Sequence, residues 1–320
     1  MIHDFASASQ TTLHFLRERF GFDLWVLTRT EGNDRIVLTV EESGNNTKPG
    51  DVSRWSDSFC SRMVDGLGPR VAPRAQEIEA YATAPVTSQQ QIGAYIGVPI
   101  RRSDGSLFGT LCAIDPQPQP DSIRNDQALV ELLADLLGSL LNTELAATDN
   151  RRRAEHAEAE AASDGLTSLY NRRGWDQLME REEERCKRYG NPACVISIDL
   201  DDLKRINDEQ GHAAGDRLLQ NASQALRAVA RHHDVVARLG GDEFAILAVE
   251  CDPVSAEALV ARLKHKFQES GIRASIGHAN RHPQQGLRAA SEQADARMYA
   301  DKKCRKSGDA ISALQNSTIR

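Results

Sequence analysis

Two acidic residues at a predicted hairpin bend are the strongest sign of chemistry in the sequence. Asp242 and Glu243 directly follow Gly240 and Gly241, and short apolar runs typical of strands lie on both sides. Glycines accept the positive φ values of a tight turn, and without Cβ atoms they let a bulky anion approach the backbone closely. Because adjacent strand residues point to opposite faces, we expect the two carboxylates to have different roles. A nucleotide phosphate carrying a divalent cation fits this pattern, and a solvated turn is the alternative.

Segments on both sides of this hairpin match one known family in the same order. GGDEF at 240–244 resembles the signature of the GGDEF family of diguanylate cyclases. DGLTSLYNRR at 164–173 resembles the family's opening segment, with Ser168 in place of a glycine, and the stretch 199–216 matches its second block. Residues 294–302 resemble its closing helix. The resemblance implies an enzyme that converts two GTP into cyclic di-GMP and two pyrophosphates.

The resemblance also implies a metal site at two strand ends. It assigns Asp199, the Leu200 carbonyl and Glu243 as ligands of Mg²⁺, with Mn²⁺ as the alternative ion. Asp242 is expected to be a further ligand or the base for the attacking 3′-hydroxyl, so Asp242 and Glu243 are the expected catalytic residues. Oxygen donors of this kind suit Mg²⁺, which leaves its other coordination positions to water and phosphate.

A GTP site next to the metal is implied in the same way. Asn207 and Asp216 are expected to hydrogen-bond guanine, because an acidic acceptor suits the N1–H and N2–H₂ donors that adenine lacks. Backbone amides around Asp202 and Leu203 are expected to face the terminal phosphates, although the family usually has Phe at position 203. The other expected GTP contacts are Lys204, Gly240, Gly241, Lys302 and Lys306.

The spacing of a further motif predicts an inhibitory product site. Arg231 and Asp234 form an RxxD motif with five residues between Asp234 and Gly240, which matches the position of the family's inhibitory site for cyclic di-GMP. The fork of an arginine can bind guanine edges and phosphate together. We assign Arg238 to the same site. A surface corner between a helix and a strand is the alternative for this motif.

The elements that must position these residues read as an α/β fold of the α+β type. From residue 193 the predicted order is β-α-α-β-β-α-β, which indicates an antiparallel sheet with helices on one face, as in ferredoxin-like cyclase and polymerase palm domains. Asp164 is predicted to break the preceding helix and to cap the next one.

The first half of the chain reads as a small sensor domain with an antiparallel sheet. Helical spacing over 13–20 is followed by a hairpin, a short helix over 56–65 and a second hairpin whose strands are 94–100 and 107–114. The second hairpin resembles the late strands of a GAF domain, which implies binding of an unidentified small ligand or of none.

Cysteine usage indicates a reducing compartment. Six cysteines are scattered without CxxC spacing, which fits reduced thiols in a cytoplasm better than a disulfide framework or a zinc site. Packing is favoured over ligand attachment or redox chemistry for Cys60 and Cys112, since cysteine is often a buried small apolar residue.

Length and charge limit the partners. A chain of 320 residues suggests two domains, and a net charge of −7 argues against nucleic acid. The most apolar run, residues 128–141, is too short to span a membrane and contains two acidic residues. The sequence therefore predicts a cytoplasmic protein without nucleic-acid or membrane partners.

A long helical pattern from 122 to 163 predicts a linker that joins two chains as a parallel coiled coil. Its heptad positions begin with leucines and continue with small and polar residues, and a lone exposed helix is the alternative. The positions are Leu129, Leu133, Leu136, Leu140, Thr143, Ala147, Asn150, Ala154, Ala157 and Ala161.

The predicted organisation is a GAF-like domain at 1–143, a linker at 144–163 and a GGDEF cyclase domain at 164–316. The predicted function is a sensor-regulated diguanylate cyclase that works as a homodimer with product inhibition. Alternatives are a non-catalytic receptor for GTP or cyclic di-GMP and a GAF ligand sensor with a vestigial output domain.

Overall fold

The chain folds into two compact units. The computed structural model describes residues 4–317 apart from 43, 45, 160 and 161, and the side chains of 149 and 306–317 lie outside this description. The first unit comprises Met1–Asn150 with Lys187–Gly190, and the second comprises Arg151–Cys186 with Asn191–Arg320.

The first unit is built on an antiparallel six-stranded sheet in the order β3-β2-β1-β6-β5-β4. Both predicted hairpins are confirmed, and two short edge strands are added that the sequence pattern did not reveal. The elements are α1 (Phe5–Phe20), β1 (Leu24–Glu31), β2 (Asp34–Glu42), β3 (Val52–Arg54), α2 (Phe59–Val64), β4 (Val71–Ala72), α3 (Glu79–Ala82), β5 (Ala94–Arg101) and β6 (Leu107–Asp115).

Each face of this sheet has its own apolar core. Leu13 and Leu16 of α1 pack on one face together with Leu137 of the long helix α4 (Gln127–Ala159). Phe59 of α2 and Tyr81 of α3 pack on the opposite face. The alternation of side chains along the strands produces this division, since neighbouring residues point to opposite faces.

Helix α4 confirms the predicted long helix, although it begins later, after a 3-10 turn at Asp121–Asp126. The predicted heptad seam is partly buried at its start, where Leu133 and Leu140 pack beside the core of the first unit. Leu136 is 58% exposed. The small and polar heptad positions that follow are all exposed, namely Thr143, Ala147, Asn150, Ala154 and Ala157. The heptad position Ala161 lies outside the described residues.

The second unit has the element order that the sequence predicts. Its antiparallel sheet has the strand order β10-β7-β9-β8. The elements are α5 (Arg172–Tyr189), β7 (Ala193–Leu200), α6 (Leu203–Gln210), α7 (His212–Val229), β8 (Val235–Gly240), β9 (Glu243–Val249), α8 (Pro253–Glu269), β10 (Ala274–Asn280) and α9 (Gly286–Ser317).

The prediction that helices cover one face of this sheet is wrong. Leu226 of α7 and Leu263 of α8 pack on one face. Trp175 of α5 and Ala294 of α9 pack on the other face. The strands explain this arrangement because β7 is buried at every position from Ala193 to Leu200, as expected for a strand with apolar neighbours on both sides.

Two local predictions also need correction. Asp164 does not cap the next helix: its Oδ1 accepts a hydrogen bond from the Thr167 backbone amide at 2.9 Å and closes a turn. The N-terminal cap of α5 comes from Asn171, whose Oδ1 accepts from the Gly174 amide at 3.1 Å. The hairpin loop is Gly241 and Asp242 rather than the two glycines, because β8 continues through Gly240.

Candidate active site at the hairpin of the second unit

The strand register places two predicted site residues opposite each other. In the antiparallel pair of β7 and β9, Asp199 is the partner of Glu243. Side chains of directly opposed residues lie on the same face with their Cβ atoms about 4.5–5.5 Å apart. Asp199 is buried and Glu243 is exposed, so this edge of the sheet presents one shielded and one accessible carboxylate.

Lys302 neutralises the buried carboxylate. Its Nζ donates a hydrogen bond to Asp199 Oδ1 at 2.6 Å. Burial raises the pKa of Asp199 above its usual range against the opposing effect of Lys302, and the Asp242 charge raises it further. Burial alone would lower the pKa of Lys302, but its hydrogen bond with Asp199 and the charges of Asp242 and Asp201 outweigh it, so that pKa is raised. The ammonium therefore lies within a group of carboxylates that repel one another.

Asp201 belongs to this acidic group although the sequence analysis did not assign it a role. Its Oδ1 accepts from the Ser275 hydroxyl at 3.0 Å, while its buried Oδ2 has no hydrogen-bond partner among the described residues. The Arg305 guanidinium lies 4.0 Å from that oxygen. The signal was the set of three aspartates at 199, 201 and 202, of which only Asp199 and Asp202 were selected.

Asp242 is fixed at the bend by its backbone. Its carbonyl accepts a hydrogen bond from the Leu200 amide at 3.0 Å, which ties the loop to the end of β7. Gly241 beside it has a φ of +48°, a left-handed conformation that favours glycine. The loop geometry thus holds three predicted site residues together: Asp242, Leu200 and Gly241.

The side chain of Arg238, which the sequence assigns to the inhibitory site, holds the bend in this structure. Its Nε and Nη2 donate to the Gly241 carbonyl at 3.0 and 2.8 Å. Its Nη1 donates to the Asp164 carboxylate at 3.2 Å, so the residue links the turn after the long helix to the hairpin. Arg172 approaches the same hairpin, with Nη2 3.7 Å from Glu243 Oε2. Pattern reasoning missed this link because its partners are far apart in sequence.

The predicted guanine contacts come from two consecutive helices. Asn207 lies on α6, and Asp216 lies exposed in the first turns of α7. Asn207 Oδ1 is buried without a hydrogen-bond partner in the described part of the chain. A Cβ at Gly215 would lie 2.0 Å from this oxygen, so only glycine leaves room for the amide there. An orphaned acceptor next to an exposed carboxylate suits a ligand edge that carries N–H donors.

The predicted phosphate contacts lie at the start of α6. Asp202 precedes the helix with a φ of +68°, and its carboxylate is 3.4 Å from Arg273 and 3.5 Å from Arg205. The amides that follow, from Leu203 onward, belong to the first turn of a helix, where N–H groups lack intrahelical partners. Lys204 is exposed in the same turn.

Lys306 is the last of the predicted phosphate contacts. The backbone of Lys306 is helical within α9, but its side chain lies outside the described residues. Lys302, one turn earlier, is therefore the part of the predicted cationic pair that can be placed.

The RxxD motif borders a cavity of about 390 Å³. Arg231 and Asp234 line it together with His156, Tyr170 and Arg227. The Asp234 carboxylate is buried and accepts from the amides of Arg231 at 2.7 Å and Val249 at 3.2 Å. Its burial raises its pKa, while these amides lower it. Asp234 thus stabilises the motif's backbone, and Arg231 is the exposed member beside the cavity.

Family comparisons agree with the two-unit fold. The model of the GAF domain matches residues 4–141, and the model described as the diguanylate cyclase GGDEF domain matches residues 161–307. The chain is therefore a GAF–GGDEF protein, with one domain of each family in that order.

Individual relatives share parts of the chain. Diguanylate cyclase DgcP from Escherichia coli K12 is 28% identical over 67% of this chain and 62% of its own length. Cyclic di-GMP phosphodiesterase NbdA from Pseudomonas aeruginosa PAO1 is 41% identical over 36% of this chain and 15% of its own length. The chain thus spans less than two thirds of these relatives.

A similar solved structure is the GGDEF domain of DgcB from Caulobacter crescentus in complex with c-di-GMP. It is 28% identical, covers 45% of this chain and 91% of its own, and has a TM-score of 0.43. Among the described residues of the present chain, no helix is long and apolar enough to cross a bilayer.

Proposed function

We propose that the chain is a diguanylate cyclase that converts two GTP into cyclic di-GMP and two pyrophosphates. The observation that carries this proposal is the register of β7 and β9, which opposes Asp199 to Glu243 beside a glycine-containing bend. Phosphoryl transfer depends on positioning and on charge neutralisation, and this edge offers both acidic and cationic groups for that purpose. The matching GGDEF model and the relatives named diguanylate cyclase support the same activity.

The residues at the hairpin fit a hard divalent cation, which we propose to be Mg²⁺, with Mn²⁺ as the alternative. The donors are carboxylate and carbonyl oxygens, and an ammonium already interacts with Asp199 at 2.6 Å, so the position accepts positive charge. Within the described ranges, no three His, Cys, Asp or Glu side chains are close enough to form a complete cage. Mg²⁺ requires no such cage because it retains water and takes phosphate oxygens.

Asp199, Glu243 and the Leu200 carbonyl would hold the metal, whose chemistry is to neutralise charge on the reacting phosphate. Asp242, held at the bend by its own carbonyl, is the candidate base for the 3′-hydroxyl. Lys302 supplies a second positive charge for the triphosphate. Asn207 and Asp216 would select guanine through its N–H donors.

Two bonds between two nucleotides require two such modules facing each other, so we propose a homodimer. The exposed positions Leu136, Thr143, Ala147 and Asn150 of α4 are available for a helix from a second chain. Heptads of leucine followed by small and polar residues would join the chains firmly at one end and weakly at the other. The GAF domain would then influence the geometry of the dimer.

Product inhibition would act through the cavity beside Arg231. The guanidinium of Arg231 and the exposed rim of the cavity suit a planar guanine and a phosphate. Arg238 remains a proposed member of this site, although its described contacts are with Gly241 and Asp164.

Incubating the purified chain with GTP and Mg²⁺ tests the proposal, with cyclic di-GMP resolved by chromatography. We expect cyclic di-GMP to accumulate and pyrophosphate to appear in a ratio of two for each product molecule. Binding of GTP or cyclic di-GMP by calorimetry without any turnover would favour a non-catalytic receptor instead. A sample pretreated to remove bound cyclic di-GMP serves as the control for product inhibition.

A further inference from the structure

Two cysteines of the GAF domain meet although 52 residues separate them in sequence. Cys60 lies on α2 and Cys112 lies on β6, and their Sγ atoms are 3.3 Å apart. Both residues are almost fully buried. The sequence analysis favoured simple packing for each of them, but two thiols in contact form a pair that can undergo chemistry together.

A guanidinium lies against this pair. Arg35 Nη2 is 3.5 Å from Cys112 Sγ. Among the described residues, no carboxylate forms an ion pair with Arg35, and its buried Nε has no hydrogen-bond partner. Arg35 is half-buried, and its Nη1 donates to the Ser53 hydroxyl at 3.5 Å. Among the described residues, the groups beside its buried side that can become negative are Cys60, Cys112 and Tyr95. The arrangement therefore favours one thiolate in the pair.

The pair borders a small cavity. Its volume is about 110 Å³, and Arg35, Cys60, Tyr95 and Cys112 are among its lining residues. The Tyr95 hydroxyl is buried beside Cys60, and in the described part of the chain no acceptor lies in good hydrogen-bond geometry with it. Gly97 is the register partner of Cys112 on the neighbouring strand. A Cβ at this position would lie 1.9 Å from the Tyr95 hydroxyl, so only glycine leaves room for the phenol. The cavity is thus lined by two residues that can still donate hydrogen bonds, Arg35 through Nε and Tyr95 through its hydroxyl, next to two sulfurs.

We propose that this cavity is a reaction site for small hydroperoxides, in which Cys60 and Cys112 are oxidised to a disulfide. Arg35 and Tyr95 would donate hydrogen bonds to the two oxygens of the hydroperoxide. The small volume favours hydrogen peroxide or a short alkyl hydroperoxide over bulkier oxidants. Binding of the hydroperoxide oxygens would supply acceptors for Arg35 Nε and the Tyr95 hydroxyl, neither of which has an acceptor in good geometry among the described residues.

The chemistry balances in two steps. The Cys60 thiolate attacks the distal oxygen, the O–O bond breaks, and the leaving alkoxide or hydroxide takes a proton to become an alcohol or water. The Cys60 sulfenic acid is then attacked by the Cys112 sulfur, which loses its proton, and hydroxide leaves as water. Two thiols and one hydroperoxide thus give a disulfide, one alcohol or water, and one further water.

The electrostatics of the pair support this order of events. The hydrogen bond between Cys60 and Cys112 lowers the pKa of Cys60, as does the Arg35 charge, whereas burial opposes them. The same hydrogen bond raises the pKa of Cys112. One sulfur is therefore the nucleophile, and its neighbour keeps the proton until the second step.

The test uses the full chain carrying Cys304→Ser, because Cys304 is exposed and would add intermolecular disulfides. After exposure to hydrogen peroxide, we expect the intact mass to fall by two hydrogens, with the Cys60–Cys112 link identified in peptides. Cys112→Ser should stop at a sulfenic acid that a dimedone probe traps. Cys186→Ser, which removes another buried thiol, should leave the reaction unchanged.

Arg35 provides the second arm of the test. Arg35→Met should slow disulfide formation by about tenfold or more, whereas Arg35→Lys should keep the rate within about threefold because it retains the charge. Circular dichroism before oxidation identifies any variant that fails to fold. The proposal is overturned if the native chain retains both thiols under peroxide, if another pair is linked, or if folded Arg35→Met reacts as fast as the parent.

Discussion

The hairpin of the GGDEF domain and the cavity of the GAF domain hold charge in opposite ways. At the hairpin, the Lys302 ammonium hydrogen-bonds Asp199 and is influenced by the charges of Asp201 and Asp242, and Arg305 lies 4.0 Å from Asp201. Among the described residues, these three carboxylates therefore outnumber the two cations beside them. In the cavity, the Arg35 guanidinium faces sulfurs and a phenol and has no carboxylate partner among the described residues.

The contrast indicates what each site lacks. Carboxylates remain ionised at neutral pH because their usual pKa is about 4, so an excess of them calls for an added cation. Thiols are neutral at that pH unless a nearby cation stabilises the thiolate. The hairpin is therefore suited to a metal and a nucleotide, whereas the cavity is suited to a reactive thiolate.

Removing the cation at the hairpin should have the largest effect. Lys302→Met is expected to lower cyclic di-GMP formation by about 10²–10³-fold, because the triphosphate loses a preorganised positive charge. Initial rates at saturating GTP measure this effect. Lys303→Met is the matched control, since the neighbouring Lys303 is exposed and its ammonium lies 4.6 Å from the Tyr299 ring. More than a tenth of the parent rate in Lys302→Met would show that this charge is dispensable.

A third cation, Arg231, sharpens the comparison because it belongs to neither site. Arg231→Ala should weaken cyclic di-GMP binding by about 30-fold, corresponding to roughly 2 kcal/mol for the loss of a charged hydrogen-bonding partner. Calorimetry measures the affinity, and GTP turnover under dilute product should persist. Arg262→Ala, outside the cavity lining, is the control. Equal affinity in Arg231→Ala and the parent would assign the RxxD motif a structural role alone.

The pH dependence of thiol oxidation gives the smallest expected effect. Because the pKa of Cys60 is lowered, its thiolate should persist as the pH falls from 8 towards 6. Cys112, Arg35, Tyr95 and Tyr81 face Cys60, and the tyrosines stay neutral here since burial raises the pKa of both. The peroxide rate should therefore drop by less than about threefold, whereas an ordinary thiol would lose roughly 75-fold. The peroxide reaction of the denatured chain is the control. An equally steep dependence of the rate on pH in the native chain would contradict a thiolate at Cys60.

Local patterns predicted the elements and motifs of the hairpin well. Gly241, Asp242 and Glu243 are consecutive residues, so their turn chemistry can be read directly from the sequence. The exact position of the loop could not be read from the sequence. A bulge between Arg238 and Gly240 moves the bend by one residue, and this bulge depends on pairing with β9.

Pairs that are distant in sequence were beyond such reasoning. Lys302 and Asp199 are 103 residues apart, and their hydrogen bond follows from the packing of α9 on the sheet. The contact of Cys60 with Cys112 similarly requires α2 to lie on β6. The helices on the second face of the GGDEF sheet were missed for the same reason, because a strand buried on both faces gives no alternation to interpret.

The most direct test of the central claim is turnover in Asp199→Asn and Glu243→Gln. Both substitutions preserve side-chain size and remove one negative charge from the opposed pair. Asp176→Asn on α5 is the control, since Asp176 lies beside a cavity that Glu243 also borders but has no assigned role in catalysis. We expect cyclic di-GMP formation to fall by at least about a hundredfold in both variants, with the unfolding midpoint maintained and Asp176→Asn near the parent rate. Turnover within tenfold of the parent in either folded variant would contradict the assignment of these carboxylates.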